Sequence, residues 1–288
     1  MEKFLLLMLR GVAALPLGLL YVLSDFIYIL VYYVVGYRKK VVRRNLSEAF
    51  PDKSSRELRR IEREYYHFLA DMIVETVKLL QISEAEMRRR VEIVNPEVVA
   101  KAAGEGCSVA LLLGHYANWE WVQEISRCFP DSIYKASIYR PLNSATWNSI
   151  YHRIRSRWAV NLLPQKESVK ALLRSDHRPW ACGFIADARP RHTNEHDEIV
   201  FLNHHTSFIY GPEVLGRKVG ARFFFLSIDR QSRGYYRIEF TEISAAQETG
   251  NYPVMREFWR LFEARIKEKP AYWLWSHKRW KYDSVVKS

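Results

Sequence analysis

Ser108-Val109-Ala110-Leu111-Leu112-Leu113-Gly114-His115-Tyr116-Ala117-Asn118-Trp119-Glu120 is the stretch from which the fold is read. Ser108–Leu113 is a short apolar run of strand length, as expected of a strand buried on both faces. Open α/β sheets carry their chemistry at the carboxyl ends of strands, where His115 falls. Glu120 follows five positions later. On a continuous helix that spacing turns the side chains through about 500°, leaving them roughly 140° apart and out of contact. A loop at His115 followed by a first helical turn at Glu120 would let the imidazole fold back onto the carboxylate. A carboxylate on one ring nitrogen fixes the tautomer and leaves the other nitrogen as a general base. The same two residues also fit an ordinary hydrogen-bonded loop histidine.

Working outward, apolar runs alternate with helical periods. Strands are expected over Ser132–Tyr139, Trp180–Ala186, Arg222–Ile228 and Tyr235–Ile243, the last two joined at Arg233-Gly234. Helices are expected over about 118–128, 143–158, Gly211–Val219 and Tyr252–Glu268. Upstream, Ser54 with Glu57 forms a capping box for an amphipathic helix over 55–80, and Ser83 with Glu86 repeats the signal. Asn95-Pro96 supplies a cap and a first-turn proline for a helix ending near Gly104. This alternation predicts an α/β fold, a mixed sheet flanked by helices.

The first 37 residues differ in character. From Phe4 to Tyr37 the only charges are Arg10 and Asp25, and the segment is long enough for a tilted membrane helix or a re-entrant hairpin. Arg38, Lys39, Lys40, Arg43 and Arg44 follow at once, which by the positive-inside rule holds the downstream body on the cytoplasmic side. The expected organisation is a membrane anchor over 1–37 and a cytoplasmic-face domain over 38–288. The net charge of +12 sits mostly in two segments. Residues 38–63 carry ten basic against four acidic side chains, and 265–288 carry seven against two. A cluster beside an apolar segment suits an anionic membrane surface better than nucleic acid, whose readers interleave basic residues through the fold.

Three cysteines, Cys107, Cys128 and Cys182, form no paired framework and suit a reducing compartment. His192-x3-His196 and His204-His205 lack the ligands to complete a tetrahedral metal set, so no metal is expected. Gly104-Glu105-Gly106 is too short for a dinucleotide fingerprint, and no cofactor is expected. Lys269-Pro270 followed by Tyr272-Trp273-Leu274-Trp275 reads as a buried strand with aromatic packing.

His115-x4-Glu120 at the end of an apolar strand resembles the H-x4-D/E motif of the glycerolipid acyltransferase superfamily. More specifically, the chain resembles the bacterial lipid A late (lauroyl/myristoyl) acyltransferases. Asn45-Leu46-Ser47-Glu48-Ala49-Phe50-Pro51, Tyr139-Arg140-Pro141-Leu142-Asn143, Ala186-Asp187, Phe201-Leu202-Asn203 with Thr206, Gly211 and Glu213, and Tyr272 to Lys281 match that branch in order. The resemblance implies acyl transfer from a carrier thioester, on acyl carrier protein or coenzyme A, to a hydroxyl of a membrane lipid at the inner membrane. It implies His115 as base with Glu120 holding it, and substrate contacts from Arg140 and Asp187; Asn118, within the motif, and Arg189, as a substitute for the Gln that usually follows the Asp, are further candidate substrate contacts. Ala188 stands where that family usually has Gln beside the Asp. Two other readings keep the same features: acylation of a lysophospholipid or aminolipid, and a non-catalytic lipid-binding protein.

Overall fold

The computed structural model describes residues 2–158, 160–174, 179–190, 197–244, 251–280 and 285–286. Two apolar helices open the chain, α1 (Glu2–Ala14) and α2 (Leu17–Ile29), the second prolonged by a π-helical turn over Leu30–Val35. Leu17–Val35 is long and apolar enough to cross a membrane. The basic run forms α3 (Lys39–Ala49), and α4 (Ser55–Lys78) follows. Its capping box is complete: Glu57 N–H donates to Ser54 Oγ, and Ser54 N–H donates to the Glu57 carboxylate.

Next come α5 (Glu84–Arg90), β1 (Val91–Ile93), α6 (Pro96–Gly104), β2 (Val109–Leu113), β3 (Tyr134–Tyr139), α7 (Ala145–Arg155), β4 (Asn161–Pro164), α8 (Ser168–Leu172) and β5 (Trp180–Ile185). The hairpin β6 (Asp197–Phe201) and β7 (His204–Phe208) precedes α9 (Gly211–Lys218), β8 (Arg222–Ser232), β9 (Tyr235–Glu242) and α10 (Pro253–Glu268). Seven strands form one mixed sheet in the order β1-β9-β8-β2-β5-β3-β4, and β6 and β7 pair separately. All neighbours in the large sheet are parallel except β8 with β9. The fold is therefore the expected α/β sandwich, with β2 at its centre and every β2 side chain buried.

Several local expectations are corrected. Asn95 occupies the N-cap position of α6, with Pro96 next as expected, but its side chain makes no capping bond; its amide exchanges two hydrogen bonds with the Phe240 backbone and so ties the helix start to β9. The helix expected over 118–128 is a 3-10 helix over Trp121–Cys128. It begins late because Ala117 adopts φ 48°, outside any helix, and because Asn118 Oδ1 captures the N–H groups of Glu120 and Trp121. The segment after Lys269 is not a strand but a 3-10 turn over Pro270–Tyr272 and a single antiparallel bridge, Tyr116 to Trp273. The aromatic packing expected there is present, with Trp273 and Trp275 buried.

Candidate active site

β2 and β5 run parallel in register, Leu113 opposite Ile185, and Ala186 N–H closes the ladder on Leu113 O at 2.8 Å. Each chain then runs two residues past its strand end, to His115 and Asp187. The imidazole Nδ1 lies 2.7 Å from Asp187 Oδ1. Asp187 Oδ2 accepts from the His115 backbone N–H at 3.0 Å and from Trp273 Nε1 at 2.9 Å. Burial pushes this carboxyl up, but the His115 charge and the converging N–H donors outweigh it and hold it down at about 2. An ionised Asp187 can only accept, so Nδ1 carries the proton that joins the pair. Nε2 is thereby left with its lone pair. Burial pulls the His115 pKa down, while the charge and hydrogen bond of Asp187 exceed that effect and leave it raised. The imidazole is 30% exposed while the carboxylate is 4% exposed, so the ring faces the opening and the carboxylate faces the core.

The loop that carries His115 is fixed from three sides. A Cβ on Gly114 would lie 2.1 Å from the Phe262 ring, so α10 closes over the strand end at a distance that only glycine allows. Ala117 N–H donates to Tyr272 O at 2.9 Å, and Leu274 N–H donates to His115 O at 3.1 Å. The Trp119 ring meets the imidazole edge-on, centroids 5.2 Å apart. His277, one short turn beyond Leu274, shares the electrostatic surroundings of Asp187, His115, Arg279 and Arg189. Burial is the largest influence and, with smaller help from the charges of His115, Arg279 and Arg189, outweighs the pull of Asp187 and holds its pKa at about 4, so its imidazole is neutral at pH 7.

Glu120 does not hold His115. Its carboxylate is clasped by Arg155 through Nε at 2.9 Å and Nη2 at 2.5 Å. The turn at Ala117 separates the two residues, and Glu120, at the head of the 3-10 helix, points to α7 instead. It acts on the imidazole only as a weaker charge, in the same direction as Asp187. Asn118, expected at the substrate, is 1% exposed. Besides its two backbone bonds, its Nδ2 donates to Glu75 Oε2 at 2.6 Å. Glu75 also accepts from Tyr21 and Tyr236. Burial raises its carboxyl to about 7 in spite of those donors.

Arg140 lies exposed just past β3, the strand beside β5, and so at the same edge of the sheet. It makes no hydrogen bond to His115 or Asp187 among the described residues. Arg189 is half-buried two residues past Asp187. Between the sheet and the 3-10 helix lies a cavity of about 690 Å³, counted to its open mouth, walled by Leu111, Leu113, Gly183, Ile185, Ile125 and Phe129. Trp119 and the Glu120–Arg155 pair also line it, which brings its wall against the His115 ring.

His192 and His196 lie outside the described residues. His204 is structural: its ring stacks on Trp280 at 3.9 Å and bonds Leu202 O and Glu48. Among the described residues no three His, Cys, Asp or Glu side chains converge as a metal site.

The Asp187 partnership, Trp273 and His277 are what sequence reasoning missed. One signal was available for the first: Asp187 follows Phe184-Ile185 at the same offset at which His115 follows Leu112-Leu113. In neighbouring parallel strands equal offsets meet.

Residues 3–282 match the profile of a protein family described as bacterial lipid A biosynthesis acyltransferase. No curated protein matches the sequence.

Proposed function

Because the chain belongs to the bacterial lipid A biosynthesis acyltransferase family, we propose that it transfers a fatty acyl group from a carrier thioester to a hydroxyl of a lipid A precursor, with His115 as general base and Asp187 as the residue that orients it. The observation that carries this reading is the 2.7 Å contact between Nδ1 and an ionised, buried carboxylate, with Nε2 directed away from it.

Nε2 takes the proton of the acceptor hydroxyl as its oxygen attacks the thioester carbonyl carbon. The resulting imidazolium is stabilised by Asp187. The tetrahedral oxyanion collapses, the C–S bond breaks, and the imidazolium returns the proton to the departing thiolate sulfur. Ester and free thiol leave, and His115 is neutral again. No acyl-enzyme is formed.

The apolar cavity beside Trp119 suits the acyl chain. Arg140 and Arg189, at the strand-end edge, suit the anionic groups of donor and acceptor, where guanidinium binds phosphate through paired donors. Residues 1–37 serve as the membrane anchor for the domain over 38–288, which works at the cytoplasmic face of the inner membrane. Acyl carrier protein is the proposed donor in preference to coenzyme A: Arg140 and Arg189 offer basic groups on which an acidic carrier would dock, and added salt is expected to weaken that association.

The test uses purified enzyme, acyl thioester and lipid A precursor, reading thiol release and the mass of the acylated lipid. His115→Ala is expected to lower turnover about 10²–10⁴-fold in a protein that remains folded at the assay temperature. Near-normal turnover in that variant would remove the assignment of the base, and acylation of a lysophospholipid in place of the lipid A precursor would remove the acceptor.

A further inference from the structure

The apolar N-terminal segment has two faces. Leu17, Leu20, Ser24, Tyr28 and Tyr32 recur at helical spacing and are buried. Leu19, Val22, Phe26, Ile29, Tyr33 and Val34 occupy the opposite face and are between 51% and 72% exposed. The buried face is bonded to α4 along its full length, and the two helices run antiparallel. Lys78 Nζ donates to the carbonyls of Ala13 and Leu15 at 3.1 and 2.9 Å. Tyr21 donates to Glu75 at 2.9 Å, and Ser24 to Asp71 at 2.6 Å. Tyr28 stacks on His67 with centroids 3.6 Å apart. Tyr66 donates to the Tyr37 carbonyl, and Arg43 pairs with Glu62 at 3.0 Å. Asp25, the one acid between Phe4 and Tyr37, is held by Arg233 at the β8–β9 turn, at 2.6 Å.

Both ends of the segment also rest on the same body. Ser149 of α7 donates to Glu2 at 2.8 Å. At the other end Arg38 reaches Ser276 O at 3.0 Å, and Asn45 reaches Trp275 O at 2.9 Å. A helix that crossed a bilayer would put Glu2 and Arg38 on opposite sides. It would also draw α4, with Glu62, Asp71, Glu75 and exposed Arg59, Arg60 and Arg63, into hydrocarbon, where uncompensated charge is costly.

We infer that residues 1–37 do not cross the membrane: α1 and α2 lie in its plane, with the outer apolar face sunk into one anionic leaflet and the inner face fixed to α4. The chemistry of the outer face names this occupant. Phe4 and Leu7 of α1, 67% and 69% exposed, continue the apolar surface. Exposed Lys3 and Arg10 border it at one end, and exposed Arg38, Lys40, Arg43 and Arg44 at the other. An apolar face rimmed by cations is the pattern of a helix lying at the boundary of headgroups and acyl chains. Trp147, 45% exposed and two positions from Ser149, adds a side chain of the kind that seats at headgroups. The inference is independent of the reaction catalysed.

The test labels the full-length protein in sealed phosphatidylglycerol/phosphatidylethanolamine vesicles with a membrane-impermeant maleimide. Single variants Lys3→Cys and Lys40→Cys, in a Cys107→Ser background, report the two ends. The fraction of each that reacts before detergent is expected to be equal, whatever the mixture of orientations. Complementary fractions would establish a span and overturn the inference. In flotation, Val22→Asp with Phe26→Asp is expected to weaken vesicle binding by about tenfold or more, with melting unchanged. Unchanged binding, or a wild type that pairs through this face and ignores vesicles, would remove the leaflet as its occupant.

Discussion

Asp187→Asn separates the orienting role of this residue from its bulk. The carboxylate receives three N–H groups, from the His115 backbone, the His115 ring and Trp273. Asparagine presents one oxygen and one NH2, so at least one donor meets another donor. The least costly rearrangement turns the amide NH2 toward Nδ1 and moves the ring proton to Nε2. That removes the lone pair needed for proton abstraction. Loss of a general base corresponds to about 10²–10⁴ in rate, or roughly 3–5 kcal/mol of barrier. The pH profile moves as well. With His115 as the proposed base, the neutral imidazole is the active form, so kcat/KM is expected to climb with pH as the imidazolium deprotonates. Asp187 raises that pKa, so the wild-type midpoint lies above the ordinary histidine value of about 6.5. In Asp187→Asn the charge that raised it is gone, burial remains, and the midpoint falls below 6.5. Thiol release from a limiting acyl thioester across the pH range reads both effects. A variant within a few-fold of wild type, with its ascending limb unmoved, would refute the pairing.

Glu120→Ala strands Arg155 beside a vanished partner and is expected to lower stability toward the lower end of the about 3–5 kcal/mol typical of a broken buried pair; its pH limb should move less than that of Asp187→Asn, as chemical denaturation and kinetics together will show. Gly114→Ala drives a methyl group into the Phe262 ring and should cost more than the about 1–3 kcal/mol usual for overpacking, read as a fall in melting temperature with loss of turnover. Glu75 is raised to about 7, so the folded state keeps a proton that the unfolded chain releases near the ordinary glutamate value. Stability therefore declines as pH climbs from about 4.5 to 7, and Glu75→Gln should flatten that slope in denaturant titrations.

The sheet was legible where burial on both faces made continuous apolar runs, as at Val109–Leu113 and Trp180–Ile185. β1, β4 and the β6–β7 hairpin escaped because they are short or edge strands of mixed polarity. In the site, the position of His115 at a strand end was legible. The carboxylate it meets was not, because Asp187 is adjacent across the sheet and distant along the chain. Glu120 is near in sequence, yet the φ 48° turn at Ala117 directs the chain away before it arrives. Asn118 looked available as a polar residue on a loop, and no local pattern announces that Glu75, 43 positions earlier, consumes its amide. The amphipathicity of Leu17–Val35 was hidden by composition: the face that meets α4 is itself largely apolar, so hydropathy alone separates neither side.

The Trp273 bond to Asp187 also sets a time at which the chemistry can begin. Asp187 is 72 residues from His115, and Trp273 is a further 86 residues from Asp187. A ribosome that has completed the central strands has made an imidazole and a carboxylate, but not the indole that steadies the carboxylate or the Leu274 N–H that fastens the His115 loop. Contacts of such long sequence separation form late in folding. A partly synthesised chain therefore holds His115 and Asp187 without the contacts that fix them. The positioning of His115 is complete only when the tryptophan-rich segment near residue 275 has docked.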